Sequence, residues 1–354
     1  MSSVFGRNLK ISIFGQSHAE AIGVVIDGFP AGFRVDREKL QAFTARRAPG
    51  NNAFATPRKE ADEAEFISGL VDDVTCGAPI CAVIRNTNTR SGDYRELLDT
   101  PRPSHADYPA DIRYGGAQDV RGGGHFSGRL TAALCVAGGL CLQYLESQGV
   151  AVGAHIAAIG NVKDAPFDAV KVTAADFPGG TFAVRDTSAK DAMLAVIEAA
   201  RAEADSVGGI IECAAIGLPA GIGDPMFDGL ENRLSQAVFG IPAVRGIEFG
   251  NGFEAAQLRG SENNDCYYND NGIVKTHTNN HGGVLGGIST GMPLLFRVAI
   301  KPTPSIGKEQ QTLNRRTGQV EPLVVKGRHD PCIVPRAVPC VEAACAIALC
   351  DYLL

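Results

Sequence analysis

The chain has 354 residues, 45% of them hydrophobic and 20% charged, and a formal net charge of −6. That is enough apolar material for a sizeable core, and the acidic balance excludes a general nucleic-acid footprint. With no Trp and aromatics at only 6%, packing must rest on Ala, Val, Ile and Leu.

Residues 1–10 lack the apolar region of a signal peptide. A β-branched run at 22–27 ends at Gly28-Phe29-Pro30-Ala31-Gly32, a strand followed by a turn. Asp36 is placed to cap a helix running through Leu40 and Phe43 towards Arg47. A strand is expected at 78–85 and a buried helix at 127–145. The latter contains Gly138, Gly139 and Gln143 and falls short of the roughly 20 apolar residues that a membrane span requires. In the second half, 150–162 reads as extended, 189–204 as an amphipathic helix and 209–218 as a strand. Asp224-Pro225 carries the signature of a helix start, with the helix running to about residue 239. Strands follow at 243–249, 283–289 and 292–300, and an apolar helix closes the chain at 339–354. This succession is α+β, in two loosely similar halves without a dividing linker, and reads as one large domain over 1–354. Segments 48–57, 87–124 and 250–281 lack periodicity, and long loops of that kind are often functional.

The ten cysteines lack the CxxC spacing of a structural zinc site, and most lie among apolar residues. Reduced structural thiols in a cytoplasmic protein are expected, with no metal, nucleic-acid or membrane partner. Arg outnumbers Lys more than two to one, and its planar fork suits carboxylates and phosphates.

Four segments concentrate chemistry. Gly15-Gln16-Ser17-His18 presents polar tips at the entry to a strand. Arg102-Pro103-Ser104-His105-Ala106-Asp107-Tyr108 puts a guanidinium, an imidazole, a carboxylate and a phenol on irregular chain. In Arg121-Gly122-Gly123-Gly124-His125-Phe126-Ser127-Gly128-Arg129, consecutive glycines before a helix could expose N–H groups to an anion. Neither a Walker loop nor a dinucleotide fingerprint is present. The fourth segment joins Lys301-Pro302-Thr303-Pro304-Ser305 with Gly327-Arg328-His329-Asp330-Pro331. Together they suit a small polyanionic ligand, without specifying a reaction.

In this order these segments resemble the chorismate synthase family. Arg46-Arg47-Ala48-Pro49-Gly50, Thr56-Pro57-Arg58, Asp205-Ser206-Val207-Gly208-Gly209 and the run from Asn279 to Ser289 extend the resemblance over essentially the whole chain. It implies a β-α-β sandwich, a helical layer between antiparallel sheets, usually assembled as a homotetramer. It also implies a carbon–oxygen lyase at the last step of the shikimate pathway. Phosphate leaves 5-enolpyruvylshikimate 3-phosphate by anti-1,4-elimination to give chorismate, with reduced FMN and no net redox change. By the same resemblance His18 protonates the departing phosphate, His105 lies beside the flavin pyrimidine edge, and Asp330 helps move a proton from the flavin. Arg47, Arg102, Arg129 and Arg328 bind substrate. His125, Phe126, Ser127, Gly286, Lys301, Pro302, Thr303, Pro304, Ser305 and Arg328 line FMN.

NADPH, with Arg47 as a contact, or an external flavin reductase is the implied source of reduction. Three departures stand out. Gln16 and Ala19 replace Glu and Gly. His125-Phe126-Ser127-Gly128-Arg129-Leu130 replaces Arg-Ser-Ser-Ala-Arg-Glu. Asn51, Asn52 and Ala53 supply no basic residue after Gly50. The rival readings are a flavin oxidoreductase with net hydride transfer and a catalytically silent FMN- or metabolite-binding protein.

Overall fold

The computed structural model describes residues 3–50, 62–87, 99–325 and 329–354. The first half lays down β1 (Val4–Phe5), β2 (Lys10–Gly15), β3 (Ala21–Asp27), α1 (Arg37–Arg47), β4 (Glu65–Ser68), β5 (Leu70–Val71), β6 (Val74–Thr75), β7 (Ile80–Arg85), α2 (Asp107–Tyr114) and α3 (Thr131–Ser147). The second continues with β8 (Ala151–Ile159), β9 (Val162–Lys163), α4 (Thr187–Ala202), β10 (Gly209–Ile216), α5 (Leu230–Phe239), β11 (Val244–Phe249) and α6 (Gly260–Asn263). Then come β12 (Tyr267–Asp270), β13 (Ile273–Thr276), β14 (Val284–Leu285), β15 (Ile288–Ser289), β16 (Leu294–Ile300), β17 (Gln310–Leu313), β18 (Val320–Leu323) and α7 (Val334–Leu353).

Two five-stranded sheets, ordered β1-β2-β3-β7-β4 and β11-β16-β10-β8-β9, are antiparallel throughout. Helix α3 packs on β3 and β7 of the first sheet, α7 packs on β8 and β10 of the second, and the two helices pack on each other. The result is the expected sandwich with its helical layer, and one continuous core runs from Ile22 and Ile84 through Val136 and Ile347 to Ile156 and Phe296.

Period-two alternation explains how the second sheet is covered on both faces. Cys213 and Ala215 of β10 point into the main core, while Ala214 between them joins Phe167, Val172 and Leu295 on the opposite side. On that opposite side His155 is wholly buried between Asp164 and Glu212, each 2.9 Å from a ring nitrogen. The ring thereby ties the segment after β9 to the sheet.

Helices α3 and α7 run in the same direction, Cys135 meeting Cys340 and Gly138 meeting Ala343. A Cβ on Gly138 would stand 2.2 Å from that of Ala343, so the missing side chain sets how closely the backbones approach. By length and hydropathy the stretch Gly128–Ser147 could span a membrane, but 78% of its apolar 18-residue window is buried inside the fold. It is a core helix.

Several elements differ from the sequence reading. The helix read at 127–145 begins as a short 3₁₀ turn at Gly128–Leu130, capped by Ser127, and becomes α-helical at Thr131. Asp224 does not cap α5. Pro225 is extended, a 3₁₀ turn intervenes, and the helix starts after Gly229, while Asp224 pairs with Arg7. The strand read at 283–289 is a hairpin instead, because Gly286 and Gly287 both take positive φ, +62° and +88°, as a two-residue turn requires. The closing helix begins at Val334 rather than 339, with Pro335 in its first turn and Pro339 inside it. The irregular 250–281 segment holds a second hairpin, β12–β13, and α2 lies within the segment read as loop at 87–124.

Candidate active site

The loops that carried chemistry in the sequence converge on a cavity of about 590 Å³, a size common for small-molecule sites. Both halves line it: Ser17, Arg47, Arg102, His105, His125, Phe126, Ser127 and Arg129 from the first, Lys301, Thr303, Pro304, Ser305, His329, Asp330, Arg336 and Cys340 from the second. Residues Phe239 to Ala243, between α5 and β11, supply an apolar wall.

Arg102 and His105 are held by one carboxylate. Arg102 presents Nε and Nη2 to the two oxygens of Asp107 at 2.7 and 2.8 Å, and its Nη1 donates to Ser305 Oγ at 3.0 Å. His105 Nδ1 lies 2.6 Å from Asp107 Oδ1. That contact places the ring proton on Nδ1 and leaves Nε2 as the free edge, beside Gly123. Burial opposes the charge on Asp107, but the hydrogen bonds from Arg102 and His105 outweigh it and hold the carboxyl well below its usual range.

The glycine run also has a steric part that its sequence did not announce. Gly122, Gly123 and Gly124 all adopt positive φ. A Cβ on Gly122 would lie 2.4 Å from the His18 ring, and one on Gly123 would lie 3.3 Å from His105. The run is therefore a thin spacer that lets two imidazoles approach the same backbone. Gly123 N–H is spent on Val120 O. His18 itself is not among the lining residues, although its neighbour Ser17 is.

A second carboxylate organises the other arginines. Asp62, its side chain wholly buried, accepts from Arg47 Nη1 at 2.6 Å and from Arg129 Nη1. Burial opposes its charge, and the Arg47 and Arg129 guanidiniums more than compensate, so its pKa is lowered. Arg47 also donates from Nε to Thr131 Oγ1 and from Nη2 to Gly128 O, each at 3.0 Å. Three of the five N–H groups of a guanidinium are thus used, leaving two for a ligand. Arg336 bonds Asp330 at 2.6 Å and donates from Nε to Arg47 O, so it holds Asp330 towards the cavity. Burial depresses His329, whose Nε2 lies 2.9 Å from Val325 O. Lys301, also depressed by burial, donates to Ser104 O.

Of the residues expected at the site, Gly286 sits on the β14–β15 turn and is not among those lining the cavity, and Pro302 is likewise absent from the lining. Arg328 lies outside the described residues, as do Asn51, Asn52, Ala53, Thr56, Pro57 and Arg58. Sequence reasoning missed Asp62, Arg336, Cys340 and the apolar wall. Asp62 has no local pattern to mark it, and Arg336 was hidden when Pro339 was read as the start of the last helix. Among the described residues the cavity lining carries five cations, Arg47, Arg102, Arg129, Lys301 and Arg336, and one carboxylate, Asp330. Asp62 and Asp107 behind the lining offset part of that charge, and the balance that remains is positive.

The family model described as chorismate synthase matches residues 9–354. The chain is 48% identical to the chorismate synthase of Lancefieldella parvula, with 100% of this chain and 96% of that protein covered. It is 46% identical to that of Thermococcus gammatolerans, covering 99% and 97%, and 45% identical to that of Dehalococcoides mccartyi, covering 100% and 97%. A solved structure described as a crystal structure of chorismate synthase superposes with a TM-score of 0.75 at 26% identity, over 99% of this chain and 92% of that one.

Proposed function

Since the chain belongs to the chorismate synthase family, we propose that this enzyme eliminates phosphate from 5-enolpyruvylshikimate 3-phosphate to give chorismate, as a carbon–oxygen lyase acting through one domain over 1–354. The supporting observation is the cavity lining, five cations against one carboxylate, which matches a substrate carrying a phosphate and two carboxylates. Arg102 and Arg129, themselves held by Asp107 and Asp62, contribute positive charge to that lining, and Arg47 retains two N–H groups for a ligand.

The residues also fit reduced FMN. Phe126, Phe239, Ile241 and Pro242 offer apolar surface to a planar ring, and Lys301, Thr303 and Ser305 offer a cation and two hydroxyls to a phosphate. When bound, the reduced flavin supplies electron density to a reaction whose departing hydrogen is not acidic. His18, beside Ser17, gives its proton to the departing phosphate. His105, its tautomer fixed by Asp107, presents Nε2 to the ligand. Asp330, held by Arg336, accepts and passes on a proton. Reduction of FMN by NADPH or by an external flavin reductase, a cytoplasmic location and a homotetramer complete the reading.

The test is anaerobic turnover of 5-enolpyruvylshikimate 3-phosphate with photoreduced FMN, following chorismate and phosphate together. Equal release of both, with the flavin still reduced, is the expected result. Folded, FMN-binding protein that releases no chorismate overturns the reading.

A further inference from the structure

Cys340 sits where the paired core helices open onto the cavity. It lines the cavity although it is only 2% exposed, and its Sγ lies 3.8 Å from that of the wholly buried Cys135 on α3. A disulfide needs about 2 Å between sulfurs, so these are two free thiols in contact rather than a bond. Arg47 and Arg336 flank Cys340, and its thiol also contacts Arg336 O at 3.4 Å. The hydrogen bond with Cys135 lowers Cys340 against the effect of burial, and the guanidiniums add to this, while burial raises Cys135. Cys340 is the member of the pair that lines the cavity, beside Arg47 and Arg336, so it is the sulfur an entering reagent meets first.

Two further thiol contacts cross the core, Cys213 with Cys345 and Cys141 with Cys350. Neither pair lines the cavity. They serve as internal controls, having thiol proximity without a route for a reagent.

We propose that Cys135 and Cys340 form a redox-active dithiol, a modification site for hydrogen peroxide that enters through the cavity. In the first step the Cys340 sulfur attacks one peroxide oxygen. An S–O bond forms, the O–O bond breaks, and the departing hydroxide takes up a proton and leaves as water. In the second, the Cys135 sulfur attacks that of Cys340, an S–S bond forms, the S–O bond breaks, and the leaving hydroxide takes the Cys135 proton and departs as a second water. Each sulfur is oxidised by one electron equivalent, and the peroxide is reduced to two waters. Bridging removes the Cys340 S–H beside Arg47 and Arg336 and draws Cys340 towards α3, so the cavity wall changes with the oxidation state.

Oxidation of this pair is read by thiol mass, independently of turnover. The wild-type chain is treated with hydrogen peroxide, its remaining thiols are alkylated, and its peptides are mapped by mass. A Cys135–Cys340 linked peptide, lighter by two hydrogens and reopened by dithiothreitol, is expected before any link at Cys213–Cys345 or Cys141–Cys350. In Cys135→Ala, Cys340 lacks a resolving partner and proceeds to the sulfinic acid, which dithiothreitol does not reverse. The proposal is overturned if oxidation of the wild type stays on the exposed Cys76 and Cys266 with no 135–340 link, or if the buried control pairs link equally fast.

Discussion

Asp107 does two jobs with one carboxylate, forking Arg102 and fixing the ring proton of His105. Its folded pKa lies below the unfolded value of about 3.9. The stability it contributes is therefore fully present above that value and is lost as pH falls towards the folded one. Asp107→Asn keeps the shape and removes the charge. It is expected to destabilise the chain by about 3 kcal/mol at pH 7, the scale for breaking a buried pair. The difference in melting temperature from wild type should shrink as pH falls from neutrality towards 3, and a constant difference would count against the linkage. His18 and His105, on either side of the glycine spacer, belong to the same scale. His18→Ala and His105→Ala are each expected to lower kcat by about 10²–10⁴-fold, the range of general acid–base groups, with a smaller change in substrate binding. Steady-state kinetics of both variants checks this, and unaltered turnover in both would sink the acid–base roles.

The α3–α7 pair shows what an element can and cannot reveal in advance. Its close approach at Gly138 predicts the sign of a substitution that helix propensity alone would get wrong. Gly138→Ala gains about 1 kcal/mol of intrinsic propensity, yet its new methyl would stand 2.2 Å from the Ala343 Cβ. Overpacking of about 1–3 kcal/mol is expected to win, lowering the urea midpoint of the variant. The α+β succession was legible because long stretches such as the apolar α3 and the amphipathic α4 need no tertiary information, whereas the layering came from the family resemblance. Asp36 was legible as a cap because its carboxylate needs only Lys39 N–H, which it reaches at 2.9 Å. Asp224 was not, because the chain stays extended at Pro225 and the helix starts only after Gly229, five residues further on. The same distinction runs through the site. Arg102, His105 and Asp107 lie within six residues and could be read together, whereas Asp62 meets Arg47 and Arg129 from 15 and 67 residues away. Only the fold joins them.

At the scale of the whole molecule, α7 links the two sheets. Near its end Asp351 accepts the backbone N–H groups of Arg7, Asn8 and Leu9 at 2.7, 2.8 and 3.0 Å, and it pairs with Arg233 of α5. Asp351→Ala strands those donors and a largely buried guanidinium. A loss of about 3–5 kcal/mol is expected from uncoupling a buried charge, read as a fall in the thermal midpoint, and a shift indistinguishable from zero would show that this link is dispensable. Seventeen of the twenty residues of α7 are buried, leaving it no side suited to water. Such a segment has no soluble halfway state: until both sheets close around it, it presents apolar surface in every direction, the surface on which unfinished chains adhere to one another. Recovery of this protein from denaturant should therefore fall steeply as its concentration is raised.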